Sequence, residues 1–311
     1  MPLDPAVVPL LDLLAAPGMP RLHELTPAAA RDLSKGRPPL TSTPEPPVPA
    51  VERMAPGPDG AVPLRVYRPA VDDTLPLLVW FHGGGWVLGD LEGADPVCQQ
   101  LAAKVSAVVV SVGYRLAPEH RFPAAVEDAL AATRWAHAHA EELGADPSQL
   151  VVGGDSAGGN LAAVVALRAR DGGGPPIAFQ LLVYPVTDLT CAQPSYVDNA
   201  EGYMLEAASM RWFIDHYVPD ERLRRDPDAS PLFAGDLAGL PPAHVVTAEY
   251  DPLRDEGEAY AERLAQAGVP VSCTRYDGVI HGFFAMDTVI PASRRAIDEA
   301  AAAIRRALGG S

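Results

Sequence analysis

Short runs of β-favouring residues, apolar almost throughout, alternate with helix-length stretches from residue 62 to the C-terminus, and this alternation constrains the fold more than any other feature. The runs are Val62–Arg68, Leu75–Phe81, Ala107–Val112, Leu150–Gly153, Ala178–Tyr184, Ala243–Ala248 and Val271–Tyr276. A strand with one wet face alternates apolar and polar residues, whereas a strand covered on both faces has no polar side to show. The helical stretches between them, about Asp95–Val105, Pro123–Leu143, Ala157–Arg170, Glu256–Ala267 and Pro291–Leu308, supply the cover. A mostly parallel sheet with helices on both faces follows. A weaker run, Val51–Ala55, is separated from Val62–Arg68 by Pro-Gly-Pro-Asp-Gly, turn chemistry that predicts a hairpin at one edge and brings the sheet to about eight strands.

Two segments stand outside the pattern. Residues 1–50 carry helix-like fragments at Val7–Leu14 and Pro27–Leu33 and a Pro-dense connector from Pro38 to Pro49, so they read as an appendage and linker to a catalytic domain over residues 51–311. Between about 188 and 230 no strand signal appears, and an aromatic-bearing helix at about Glu206–Tyr217 marks an insertion. Composition narrows the partners. A formal charge of −16 repels phosphate backbones, which argues against nucleic acid, and Lys35 and Lys104, the only lysines, stand in no P-loop. Cys98, Cys191 and Cys273 form no C-x-x-C pair and read as reduced thiols. With neither a basic leader nor an apolar run of spanning length, the expectation is a soluble, cytoplasmic protein without membrane insertion. A homodimer is compatible with the sequence, which does not fix the oligomeric state.

The chemistry concentrates at strand ends. Gly154-Asp155-Ser156-Ala157-Gly158 lies between a strand-like and a helix-like run, the setting of a nucleophile elbow in which small flanking residues let the backbone turn sharply beneath an exposed hydroxyl. Ala157 then offers a backbone N–H at a helix N-terminus, where developing negative charge is favoured. His82-Gly83-Gly84-Gly85-Trp86 follows the strand Leu75–Phe81, and its glycines can turn N–H groups toward an oxyanion without side-chain obstruction. A serine needs a base, and the base an orienting acid. His281, in a loop past the last strand, suits the first role, while His82 sits where it would shape the glycine loop. Asp251 suits the second, following the strand Ala243–Ala248; Glu249, Asp255 and Glu256 compete, and Asp251-Pro252 would also start a helix well.

The motifs His82-Gly83-Gly84-Gly85-Trp86, Tyr114-Arg115-Leu116-Ala117-Pro118-Glu119-His120, Gly154 through Asn160, Asp251-Pro252-Leu253-Arg254-Asp255 and His281-Gly282-Phe283 occur in the order that resembles the bacterial hormone-sensitive-lipase-like, or family IV, esterases of the α/β-hydrolase superfamily. The resemblance implies an α/β-hydrolase fold with a helical cap made from residues 1 to about 45 and 188–230. It implies Ser156 as nucleophile, His281 as base and Asp251 as acid, with the N–H groups of Gly83, Gly84 and Ala157 as oxyanion hole. It also implies a cofactor-free, metal-free carboxylesterase working through an acyl-enzyme. Two other readings use the same fold: a small-ligand binding protein, as in the plant gibberellin receptors that lack the histidine, and an amidase or peptidase with the same triad. The presence of Ser156, Asp251 and His281 together favours catalysis over binding. Trp86, Met204, Leu205 and Phe213, with Trp212 and Tyr217, are the candidates to contact a small-molecule ester, and an aromatic and methionine roof predicts short to medium acyl chains.

Overall fold

The computed structural model describes residues 2–35 and 39–309, so Pro38 of the Pro-dense connector lies outside the described residues. Eight strands form one sheet: β1 (Ala50–Gly57), β2 (Gly60–Tyr67), β3 (Leu75–Phe81), β4 (Val108–Val112), β5 (Ala145–Asp155), β6 (Phe179–Val183), β7 (Ala243–Tyr250) and β8 (Val271–Ile280). Their order across the sheet is β1-β2-β4-β3-β5-β6-β7-β8. β1 and β2 pair antiparallel around the Pro58-Asp59 turn, and β2 meets β4 antiparallel; every other pairing is parallel. This is the edge hairpin on a parallel sheet that the residue pattern predicts.

The helices are α1 (Val8–Leu14), α2 (Pro27–Ser34), α3 (Leu91–Val105), α4 (Ala124–Ala138), α5 (Ala157–Asp171), α6 (Ser195–Asp198), α7 (Ala207–Tyr217), α8 (Arg254–Gln266) and α9 (Pro291–Ala307). α3 and α9 cover one face, where Val97, Leu101, Ile297 and Ile304 meet Leu78, Trp80, Val109 and Val151; α4, α5 and α8 cover the other. Along α5 the residues from Ala157 to Leu167 are all buried, nearly all of them Gly, Ala, Val or Leu. That size pattern lets the helix lie close on β5 and β3, and so fixes its N-terminus under the site.

Several boundaries differ from the sequence expectation, and at β5, α3 and α4 the reason is local. β5 starts at Ala145 because Ala145 and Asp146 pair with Leu75 and Pro76 before a register shift. α3 starts at Leu91, upstream of Pro96, since the Asp90 carboxylate accepts the Gly93 N–H and caps it there. α4 ends at Ala138, and the His139 ring folds back to hydrogen-bond the Trp135 carbonyl at 2.8 Å. Between β6 and β7 there is no strand among the described residues; α6, α7 and two short 3-10 turns occupy the interval. No described helix is long and apolar enough to cross a membrane.

Candidate active site

Strand register assembles the polar groups. Phe81 pairs with Gly154, and Asp155 with Val183, so the His82–Gly85 loop and the Asp155-Ser156 turn emerge side by side at the carboxyl end of the sheet. Tyr250 pairs with Ile280 beyond a bulge, and therefore the next residue of each strand, Asp251 and His281, also emerge as neighbours. This is where ligands bind in open α/β sheets.

Ser156 has φ 56° and ψ −116°, a conformation that costs an L-residue on the order of 1–3 kcal/mol and persists only where packing over-determines it. The packing is visible at the flanking glycines. A Cβ on Gly158 would lie 1.8 Å from the Phe81 carbonyl oxygen, and one on Gly154 would lie 2.4 Å from the Gly158 backbone. Only hydrogen atoms fit at those two positions, which is why the elbow needs glycine on both sides. The Ser156 hydroxyl donates to His281 Nε2 at 3.0 Å, and His281 Nδ1–H donates to Asp251 Oδ2 at 2.7 Å. The other Asp251 oxygen accepts the Leu253 N–H at 2.8 Å and so sets the carboxylate plane. Asp251 is fully buried, and the Tyr184 ring lies 4.5 Å from the imidazole. Of the competing acids, Asp255 accepts the Ser195 N–H and Glu256 accepts the Thr187 and Asp188 N–H groups, so both tie down the insertion. α8 begins at Arg254, after the Asp251-Pro252 pair, which makes that pair part of a loop rather than a helix start.

The glycine loop is held at three points. The Tyr114 hydroxyl donates to the His82 carbonyl at 2.7 Å, His82 Nδ1–H donates to the Gly83 carbonyl at 2.8 Å, and the Gly83 N–H donates to Asp155 Oδ1 at 3.0 Å. His82, stacked on Tyr114 and pushed toward its neutral form by burial, thus shapes the loop as its position suggested. Of the expected oxyanion donors, the Gly83 N–H is engaged by Asp155, whereas the N–H groups of Gly84 and of Gly85 after it meet no acceptor among the described residues and both glycines line the cavity. Ala157 opens α5, so its N–H has no partner within the helix.

The serine opens into a cavity of about 800 Å³. Met204, Leu205 and Phe213 line it. Phe213 lies against the glycine loop, for a Cβ on Gly85 would sit 2.3 Å from its ring, and Met204 reaches within 2.8 Å of where a Gly282 Cβ would be. Trp86 does not line the cavity: it is fully buried with its indole stacked on Tyr217 at 4.3 Å, so Trp86 and Tyr217 brace the wall from behind, and Trp212 likewise is not part of the lining. Residues missed in the sequence come from α1, α2, α7 and scattered loops: Leu10, Leu14, Met19, Leu33, Met210 and Met286. The only signal for them was their apolar character, shared with the core.

Both outer segments are fastened to the sheet domain. Arg31 on α2 donates to the Val87 and Ala117 carbonyls and pairs with Glu119 through both carboxylate oxygens. Arg21 pairs with Glu206, joining the N-terminal segment to the insertion. Asn160, one turn beyond Ser156, is fully buried and donates through Nδ2 to the Val186 carbonyl at 3.0 Å and the Ala229 carbonyl at 2.8 Å. The three cysteines are unpaired. Among the described residues no cluster of His, Cys, Asp or Glu has the geometry to hold a metal ion.

A mostly parallel eight-stranded sheet carrying a hydrogen-bonded Ser, His and Asp at its strand ends defines a hydrolase of the α/β-hydrolase class. Comparison with known proteins agrees. Residues 78–285 match a family model described as alpha/beta hydrolase fold. The carboxylesterase NlhH of Mycobacterium tuberculosis is 46% identical over 264 residues, 83% of each chain, and the ethyl acetate hydrolase of Pseudomonas putida is 44% identical over 237 residues, 74% of this chain and 73% of its own. The crystal structure of a thermostable esterase from Pseudomonas putida superposes with a TM-score of 0.94 at 39% identity, covering 99% of this chain and 98% of that one. The chain belongs to the hormone-sensitive-lipase-like family IV esterases of the α/β-hydrolase fold, and it is a carboxylic ester hydrolase.

Proposed function

We propose that the protein hydrolyses short to medium chain carboxylic esters through an acyl-enzyme on Ser156, without a cofactor. The observation that carries this reading is the unbroken hydrogen-bond chain from Asp251 through His281 to Ser156, ending in an apolar cavity. Ser156 Oγ adds to the ester carbonyl carbon as its proton passes to His281 Nε2, and Asp251 stabilises the resulting imidazolium. The carbonyl oxygen becomes an oxyanion held by the N–H groups of Gly84, Gly85 and Ala157 at the positive end of α5. Collapse of this intermediate breaks the bond to the alcohol oxygen, which leaves with the proton from Nε2. Water then repeats the sequence: His281 takes its proton, its oxygen adds to the acyl carbon, and Ser156 departs with the proton returned.

Residues 1 to about 45 and 188–230 form the cap over this centre, with residues 51–311 as the catalytic domain that carries the insertion. Because α1, α2 and α7 contribute lining, the cavity is finite, and each acyl methylene adds about 0.8 kcal/mol only while room lasts. The activity named for the ethyl acetate hydrolase relative supports small esters. The optimum is expected at roughly four to eight acyl carbons, beyond which further methylenes stay in water. Hydrolysis of a nitrophenyl ester series from acetate to palmitate by the wild type and Ser156→Ala, with emulsified triolein as the extreme, tests the reading. A maximum at palmitate, a rate jump at the oil interface, or undiminished hydrolysis by Ser156→Ala would overturn it.

A further inference from the structure

Asp155 takes no part in the proton transfers just described, yet its carboxylate reaches into the centre of the site. It is the last residue of β5, fixed by pairing with Val183, and the Ser156 N–H donates to that same Val183 carbonyl at 2.9 Å. One strand pairing therefore sets both the nucleophile and the carboxylate beside it. Oδ1 accepts the Gly83 N–H at 3.0 Å, and Oδ2 presses on the glycine from its Cα side, where a Cβ would lie 2.3 Å away. With the Gly83 carbonyl accepting from His82, both polar groups of Gly83 have fixed partners. The next two N–H groups in the chain, those of Gly84 and Gly85, are the ones left to face the cavity. Gly84 and Gly85 have φ of +116° and +59°, backbone that no side chain of their own steadies, so the aim of their N–H groups depends on what anchors the residue before them.

We propose that Asp155 is a positioning residue for the oxyanion hole: it clamps Gly83 so that the Gly84 and Gly85 N–H groups point at the developing oxyanion. The role belongs to the acceptor oxygen rather than to the negative charge. It rests on the acyl-enzyme reading above and adds to it a residue outside the Ser156, His281 and Asp251 chain. Because the clamp acts on donors that matter most when the carbonyl oxygen is an anion, its loss lowers kcat and leaves ground-state binding almost intact.

The test compares the wild type, Asp155→Ala and Asp155→Asn on nitrophenyl butyrate, together with inhibition by an aliphatic trifluoromethyl ketone, whose adduct with Ser156 places an oxyanion in the hole. Asp155→Ala is expected to lower kcat about 100-fold, the order lost with one oxyanion donor. KM should stay within about threefold, while the ketone weakens in step with kcat. Asp155→Asn keeps a carbonyl oxygen where Oδ1 lies and should bring kcat back to within about tenfold of wild type. Should the alanine variant not fold, Asp155→Ser, one bond too short to reach the Gly83 N–H, carries the same expectation. A kcat within about threefold of wild type in Asp155→Ala or Asp155→Ser overturns the proposal, as does an Asp155→Asn variant as slow as Asp155→Ala, because that result assigns the effect to charge acting on His281. Ser156→Ala separates the two levels: if it abolishes hydrolysis while Asp155→Ala leaves kcat within about threefold of wild type, the positioning role alone fails, and if Ser156→Ala leaves hydrolysis undiminished, the acyl-enzyme reading fails first.

Discussion

At the floor of the cavity Ser156, Asp251 and His281 each follow directly from the last paired residue of a strand, whereas the roof comes from α1, α2, α7 and loops that share no register with one another. The floor is therefore positioned by backbone pairing, which leaves each group almost no freedom, and the roof by side-chain packing, which tolerates exchange of one apolar residue for another. Chemistry that fails with misplacements of about 1 Å sits on the first, and substrate choice, which is graded, on the second.

The sharpest way to break this contrast is at the floor. Ser156→Ala and His281→Ala are each expected to lower kcat about a million-fold with the fold intact, and the double variant scarcely more, because the pair works as a unit. Steady-state kinetics with a folding check decides this, and single losses below about tenfold would dissolve the distinction between floor and roof. Asp251→Asn comes next, with a loss of about ten-thousand-fold at neutral pH as the histidine is left in the wrong tautomer. Asn can still accept the Leu253 N–H, so thermal melting should change little, and a large melting shift without a kinetic loss would make Asp251 structural.

On the roof the effects are smaller and depend on substrate. Phe213→Ala empties space against Gly85 and is expected to cost roughly tenfold in kcat/KM on butyrate while moving the optimum toward longer acyl chains. An equal loss at every chain length would place Phe213 in the floor's machinery and blur the division. The smallest effect concerns stability. Burial raises the Asp155 carboxyl to about 6, opposed by His281 and the Gly83 N–H, with Tyr114, Tyr184 and Cys98 as its other titratable neighbours. Below about pH 4 the folded and unfolded chains both hold this proton; between there and 6 only the folded one does, so stability falls as pH rises through that window, by up to about 3 kcal/mol at neutral pH. Asp155→Asn should accordingly melt a few degrees above wild type at neutral pH and level with it near pH 4. Equal melting at both would show that the carboxylate carries no such penalty.

The same contrast explains what could be read from the sequence. Strands apolar on both faces announce a covered parallel sheet, and glycines on either side of Ser156 announce a backbone too crowded for a Cβ, so fold and elbow were legible. The Asp251 and His281 neighbourhood was legible only as two strand-end residues; the bulge that aligns Tyr250 with Ile280 leaves no mark in composition. Gly83 and Gly85 look alike in a run of three glycines, and what separates them is the Asp155 carboxylate, a contact across the sheet from residue 83. Trp86 was misread for a similar reason: adjacency to the glycines says nothing about which way the indole turns, and it turns toward Tyr217. Nor does an apolar residue on α1 reveal whether it will meet the core or a cavity.

The two hydrogen bonds from Asn160 make the insertion a loop stitched shut at its base. Its chain enters at the Val186 carbonyl and returns at the Ala229 carbonyl, both held by one amide that is itself fixed a single helical turn from the nucleophile. For a loop so closed, doubling the length between the stitches costs only about 0.6 kcal/mol of closure entropy. Between the stitches the insertion touches the site again, through Asn199 on the Asp251 carbonyl and Phe213 against Gly85, so its ends are fixed to the serine's helix and its middle to the acid and the glycine loop.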